Sequence, residues 1–102
     1  MNKFDNYELN AVREEIGQDG FCEPDYDIKT QADLDEANEN AHMEPSGSGV
    51  RYFWTVYGHN KKPEVGVKAI ADFNYLKDAE WLHGELMFAL KARNLLNKYQ
   101  NK

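Results

Sequence analysis

VRYFWTVYG, Val50 to Gly58, decides the fold. Its β-branched and aromatic residues read as a strand. Strand alternation puts Tyr52, Trp54 and Val56 on one face and Phe53, Thr55 and Tyr57 on the other. Both faces carry large side chains, and a small domain ordinarily buries one face of a sheet. The second face needs its own cover.

Towards the C-terminus, His59 to Glu64 reads as a loop and Val65–Phe73 as a second strand. Val65, Val67, Ala69, Ala71 and Phe73 alternate onto one side of it, and a hairpin is the simplest pairing of the two neighbours. Asn74 is placed to cap a helix running to Tyr99, about 36 Å at the helical rise. That helix has two apolar stripes. Tyr75, Ala79, Leu82, Leu86, Ala89 and Leu90 form one; Trp81, Phe88, Ala92, Leu95 and Tyr99 form the other. One stripe covers the hairpin, and the second is left over.

Towards the N-terminus, EPSGSG, Glu44 to Gly49, has the composition of a flexible joint. Thr30-Gln-Ala-Asp33 resembles a capping box and predicts a short helix to about Ala41, with Leu34 as its large apolar residue. Pro24 blocks a continuous helix through Phe21–Lys29. Leu9, Val12 and Ile16 fall at helical spacing, so residues 5–17 are expected to form a helix capped by Asp5 and ended at Gly17 or Gly20. The expected fold is a single α+β domain over residues 1–102. It has an acidic, helical, mobile segment 1–43, a joint at 44–49, and a stable unit 50–102 of hairpin plus long helix.

The first half offers few large apolar residues to cover both a strand face and a helix stripe. A second chain is the alternative cover, which predicts a homodimer joined through Trp81, Phe88, Leu95 and Tyr99. Charge is divided as unevenly as apolar area. Residues 1–49 hold 13 acidic and 3 basic side chains; residues 50–102 hold 5 acidic and 9 basic, for a total of −6. The acidic half predicts a partner with a basic surface, met through Asp25, Asp27, Asp33, Asp35, Glu36 and Glu39.

Catalytic and metal patterns do not emerge. His42, His59, His83 and Cys22 have no zinc spacing. The run from Asp25 to Thr30 has Lys29 and Thr30 where a calcium loop needs a ligand and a glycine. Cys22 has acidic neighbours, which raise rather than lower a thiol pKa. The expectation is a protein that binds without catalysis, with no cofactor and no metal. The hairpin supplies an alternative, a small nucleic-acid-binding module in which Arg51, Phe53, Tyr57, Lys61 and Lys62 face single-stranded bases. A dimeric structural or assembly component is a third reading. No apolar run is long enough to span a membrane, the first ten residues lack a signal segment, and the lone cysteine suits a reducing compartment, so a cytoplasmic setting is expected.

Short length, acidity and ten asparagines, among them Asn2, Asn6, Asn10, Asn38 and Asn40, give the chain a resemblance to small phage-encoded inhibitors of host defence of the anti-CRISPR and anti-restriction type. The resemblance lies in composition and transfers no residue role. It implies inhibition by binding, through nucleic-acid mimicry, in the cytoplasm of a host cell.

Overall fold

The computed structural model describes residues 4–17, 20–41, 49–61 and 66–100. The quoted stretch lies within β3, Gly49–Asn60, an inner strand of a four-stranded antiparallel sheet. Its neighbours are β1, Phe4–Ile16, on one side and β4, Val67–Phe73, on the other; β2, Cys22–Pro24, extends the sheet beyond β1. Helix α1, Gln31–Asn40, links β2 to β3, and helix α2, Leu76–Gln100, follows β4.

The helix expected over residues 5–17 is instead the strand β1, and the N-terminal half is mostly strand rather than helical. Asn6, Tyr7, Asn10, Val12 and Ile16 are weak helix formers. A 12-residue strand has backbone donors and acceptors on both edges. β1 satisfies one edge residue for residue, from Asn6 opposite His59 to Ile16 opposite Gly49. Leu9 and Val12 consequently lie on opposite faces and do not form a stripe. Gly17 and Gly20, at φ of 121° and 55°, turn the chain into β2 rather than ending a helix.

α1 begins where its capping box places it. Thr30 Oγ1 accepts from the backbone of Asp33 at 3.1 Å, and the Asp33 carboxylate accepts from the backbone of Thr30 at 3.1 Å. Two of its amide side chains fasten it to the sheet. Asn38 accepts from the N–H of Tyr52 at 2.7 Å and donates to its carbonyl at 3.0 Å. β4 stops at Phe73, opposite Trp54, so Asn38 continues the ladder along the edge that β4 leaves open. Gln31 Oε1 accepts from the indole of Trp54 at 3.0 Å and from the backbone N–H of Leu76 at 2.5 Å, where α2 starts. The carbonyl of Tyr75 takes the first α2 hydrogen bonds, one residue later than a cap at Asn74 would.

The two faces of β3 are covered differently. Ala11, Leu34, Trp54, Val56 and Ala79 form the buried core, with Leu9, Ile28, Tyr52, Phe73, Leu76, Leu82 and Leu86 packed around it. Both helices thus sit on the Tyr52–Trp54–Val56 face, and each fully buried large side chain contributes roughly 1.5–3 kcal/mol before entropy. The opposite face has neither described helix over it, yet Phe53 and Thr55 are also buried. Long neighbours shield them: the Arg51 guanidinium lies 5.0 Å from the Phe53 ring centre, and Thr55 donates to Asp72 at 2.7 Å.

β4 departs from the expected alternation. A register shift between the Val56–Ala71 and Tyr57–Ala69 pairs makes Ile70 an extra residue. Ala71 and Phe73 face the helices, whereas Val67 and Ala69 face the other way, opposite His59 and Tyr57. Val65 and most of the joint at 44–49 lie outside the described residues.

Candidate interaction surfaces

α2 is amphipathic in an unusual sense. Leu76, Ala79, Leu82, Leu86 and Leu90 turn towards the rest of the protein and are buried or half-buried. On the outer side, Trp81 is 67% exposed, Phe88 73%, Leu95 54%, Leu96 58% and Tyr99 62%. These large side chains recur at spacings of three, four and seven residues, so they share one side of the helix. The four residues expected to drive self-association are therefore brought together and left accessible. Leu96 belongs with them although the stripe read from the sequence omitted it; its position 60° from Tyr99 on the helical wheel was the available signal. From Lys91 to Tyr99 every side chain is exposed except half-buried Arg93, so this end of the helix overhangs the sheet. The elongated shape, 62 × 28 × 19 Å, agrees with that overhang.

The acidic residues are more dispersed. Asp33 is engaged in the α1 cap, where the backbone N–H of Lys29 and the Thr30 hydroxyl hold its carboxyl below the usual range. Asp25 accepts from the backbone of Asp27 at 3.1 Å and fixes the turn after β2. Asp35 is exposed and accepts from Gln31 at 2.9 Å. Asp27, Glu36 and Glu39 are exposed. Elsewhere in the acidic half, Glu8 pairs with His59 at 3.0 Å, Glu14 pairs with Arg51, and Arg13 lies between Glu15 at 2.8 Å and Glu23 at 3.7 Å. Asp19 and Glu44 lie outside the described residues.

The open sheet face gathers Arg51, Phe53 and Tyr57, as the nucleic-acid reading expects. Their surroundings do not favour bases or phosphates. Phe53 is 7% exposed beneath Arg51, and Tyr57 is half-buried, with its hydroxyl pKa raised by burial. Glu8, Glu14 and Asp72 stand on the same face and oppose an anionic backbone. Lys61 is exposed just past β3, and Lys62 lies outside the described residues.

Cys22 is exposed on the edge strand, and its thiol pKa is raised by partial burial and by a hydrogen bond to Glu14, 3.6 Å away. His83, on α2, is half-buried with Nε2 3.2 Å from the Tyr7 carbonyl. His42 lies outside the described residues. Among the described residues no three His, Cys, Asp or Glu side chains converge as a metal site, and no buried side-chain polar atom lacks a partner. A cleft of roughly 390 Å³ lies beside the turn after β2, lined by Leu9, Ile28, Trp54 and Leu76 with Asp25 and His83 among its polar groups. No described helix is long and apolar enough to cross a membrane. Comparison of the chain with protein families, with characterised proteins and with solved structures finds no match.

Proposed function

We propose that this protein acts without catalysis, by binding another protein chain through the outer face of α2. The observation that carries the reading is the exposure, by more than half, of Trp81, Phe88, Leu95, Leu96 and Tyr99 on one helix. Apolar area of that extent on one element is characteristic of an interaction site, and aromatic residues are the usual anchors of one. Exposed Asp27, Asp35, Glu36 and Glu39 favour a basic surface on the target, the form that inhibition by nucleic-acid mimicry would take. That narrower form has less support, because Asp25 and Asp33 hold local structure and Glu8 and Glu14 have partners within the chain.

Affinity capture from the source cell with three immobilised chains tests this. Wild type and a Glu36→Lys/Glu39→Lys chain are expected to retain the same proteins, the latter with weaker salt dependence, and Phe88→Glu is expected to lose them. Unchanged capture by Phe88→Glu, with its circular dichroism unaltered, would remove α2 from the account.

A further inference from the structure

We infer that the surface covering the outer face of α2 is a second copy of this chain, packed antiparallel so that each overhang lies across the partner's sheet-backed helix. The inference rests on the binding role of α2 and names the occupant. The exposed stripe has two equal halves about Leu90. Residues 81–89 are backed by the sheet on their far side, whereas 91–99 are exposed almost throughout. An uncovered two-and-a-half-turn helix end gains little from intrinsic propensity, so its stability calls for contact. A twofold axis beside Leu90 sets the overhang of one chain on the backed half of the other.

The side chains are self-complementary in that register. Trp81, Glu85, Phe88, Ala92, Leu95 and Tyr99 follow the alternating four–three spacing of a helix-pairing seam. Reversal about Leu90 sets Trp81 against Tyr99 of the second copy, Phe88 against Ala92, and Leu96 level with Gly84. Large side chains thus meet small ones, or other aromatics. Glu85 is the one charge in the seam. It falls level with Leu95 of the second copy, next to Gly84, which has open space where a side chain would stand. Five large side chains exposed by more than half offer roughly 500 Å² per chain, or about 1,000 Å² for the pair, the lower bound of a specific interface. The lysines Lys77, Lys91 and Lys98 rim the seam in water, as the edge of such an interface requires.

Sedimentation equilibrium of the full chain at high micromolar concentration is expected to give twice the 11.8 kDa mass of one chain. Phe88→Glu and, separately, Leu96→Lys should return the mass of one chain that still unfolds cooperatively in urea, since both side chains are exposed in the monomer. Orientation is read by a short bismaleimide in a Cys22→Ser background. Ala89→Cys should cross-link to itself, because the two copies lie about 3 Å apart along the axis; Glu85→Cys should not, at about 15 Å. Self-linking by Glu85→Cys would overturn the antiparallel arrangement. A wild-type monomer overturns the second copy as occupant, whether the chain then captures a different protein through Phe88 or binds anionic vesicles through Trp81. Loss of capture on Phe88→Glu would in that case leave the binding role of α2 standing.

Discussion

Gln31 Oε1 lies 3.0 Å from the indole nitrogen of Trp54 and 2.5 Å from the backbone nitrogen of Leu76. One amide oxygen therefore joins α1 to the core tryptophan and caps α2, while its NH₂ donates to the Asn74 carbonyl at 3.2 Å. Gln31→Ala leaves the indole N–H without this acceptor, and the expected loss is about 1–3 kcal/mol. In a Trp54→Phe background that donor is absent, so the loss should shrink. Equal losses in both backgrounds, measured by urea unfolding, would show that the bond adds nothing.

Gly58 is occupied in a different sense. A Cβ there would stand 2.5 Å from the Phe4 ring, which lies over the bare backbone and meets Tyr7 edge-on at 5.9 Å between ring centres. Gly58→Ala must displace that ring and is expected to cost about 1–3 kcal/mol. In a Phe4→Ala chain the clash is gone and the cost should largely vanish, a coupling that a double-mutant cycle reads directly. Additive losses would mean that Phe4 does not rest on Gly58.

The Asp33 carboxyl, held below its ordinary range by Lys29 N–H and the Thr30 hydroxyl, predicts a pH dependence of α1. A carboxyl whose pKa is lowered on folding stabilises the fold above its unfolded pKa, near 4, and that contribution fades as pH falls through the lower folded value. Asp33→Asn should therefore be less stable than wild type at pH 7 and converge with it at strongly acid pH. A constant gap between their urea midpoints from pH 7 to pH 2 would contradict this. Arginine and lysine groups do not titrate in that window, so the convergence belongs to carboxyls.

Much of the architecture from α1 onwards was legible because it rests on local pattern. Period-two alternation marked Val50–Gly58, the capping box marked α1, and two apolar stripes marked α2, including the four exposed residues of its outer face. β1 was misread for a physical reason. Leu9, Val12 and Ile16 satisfy helical spacing, while Tyr7, Leu9 and Ala11 satisfy strand spacing, and the choice was made by β3, some forty residues away. Nothing local announces that pairing. The same holds for Gln31 and Asn38, whose partners lie 14 to 45 residues distant. The bulge at Ile70 likewise breaks an alternation that the sequence continues without a mark.

The central claim is that α2, rather than α1 or the open sheet, carries the contact with other chains. A photo-cross-linking residue placed in turn at Phe88, Glu36 and Tyr57, and irradiated in living cells, compares the three surfaces under one condition. The account predicts protein adducts from position 88, including the doubled chain, and few or none from 36 and 57. Adducts from position 36 or 57 together with none from position 88 would contradict it.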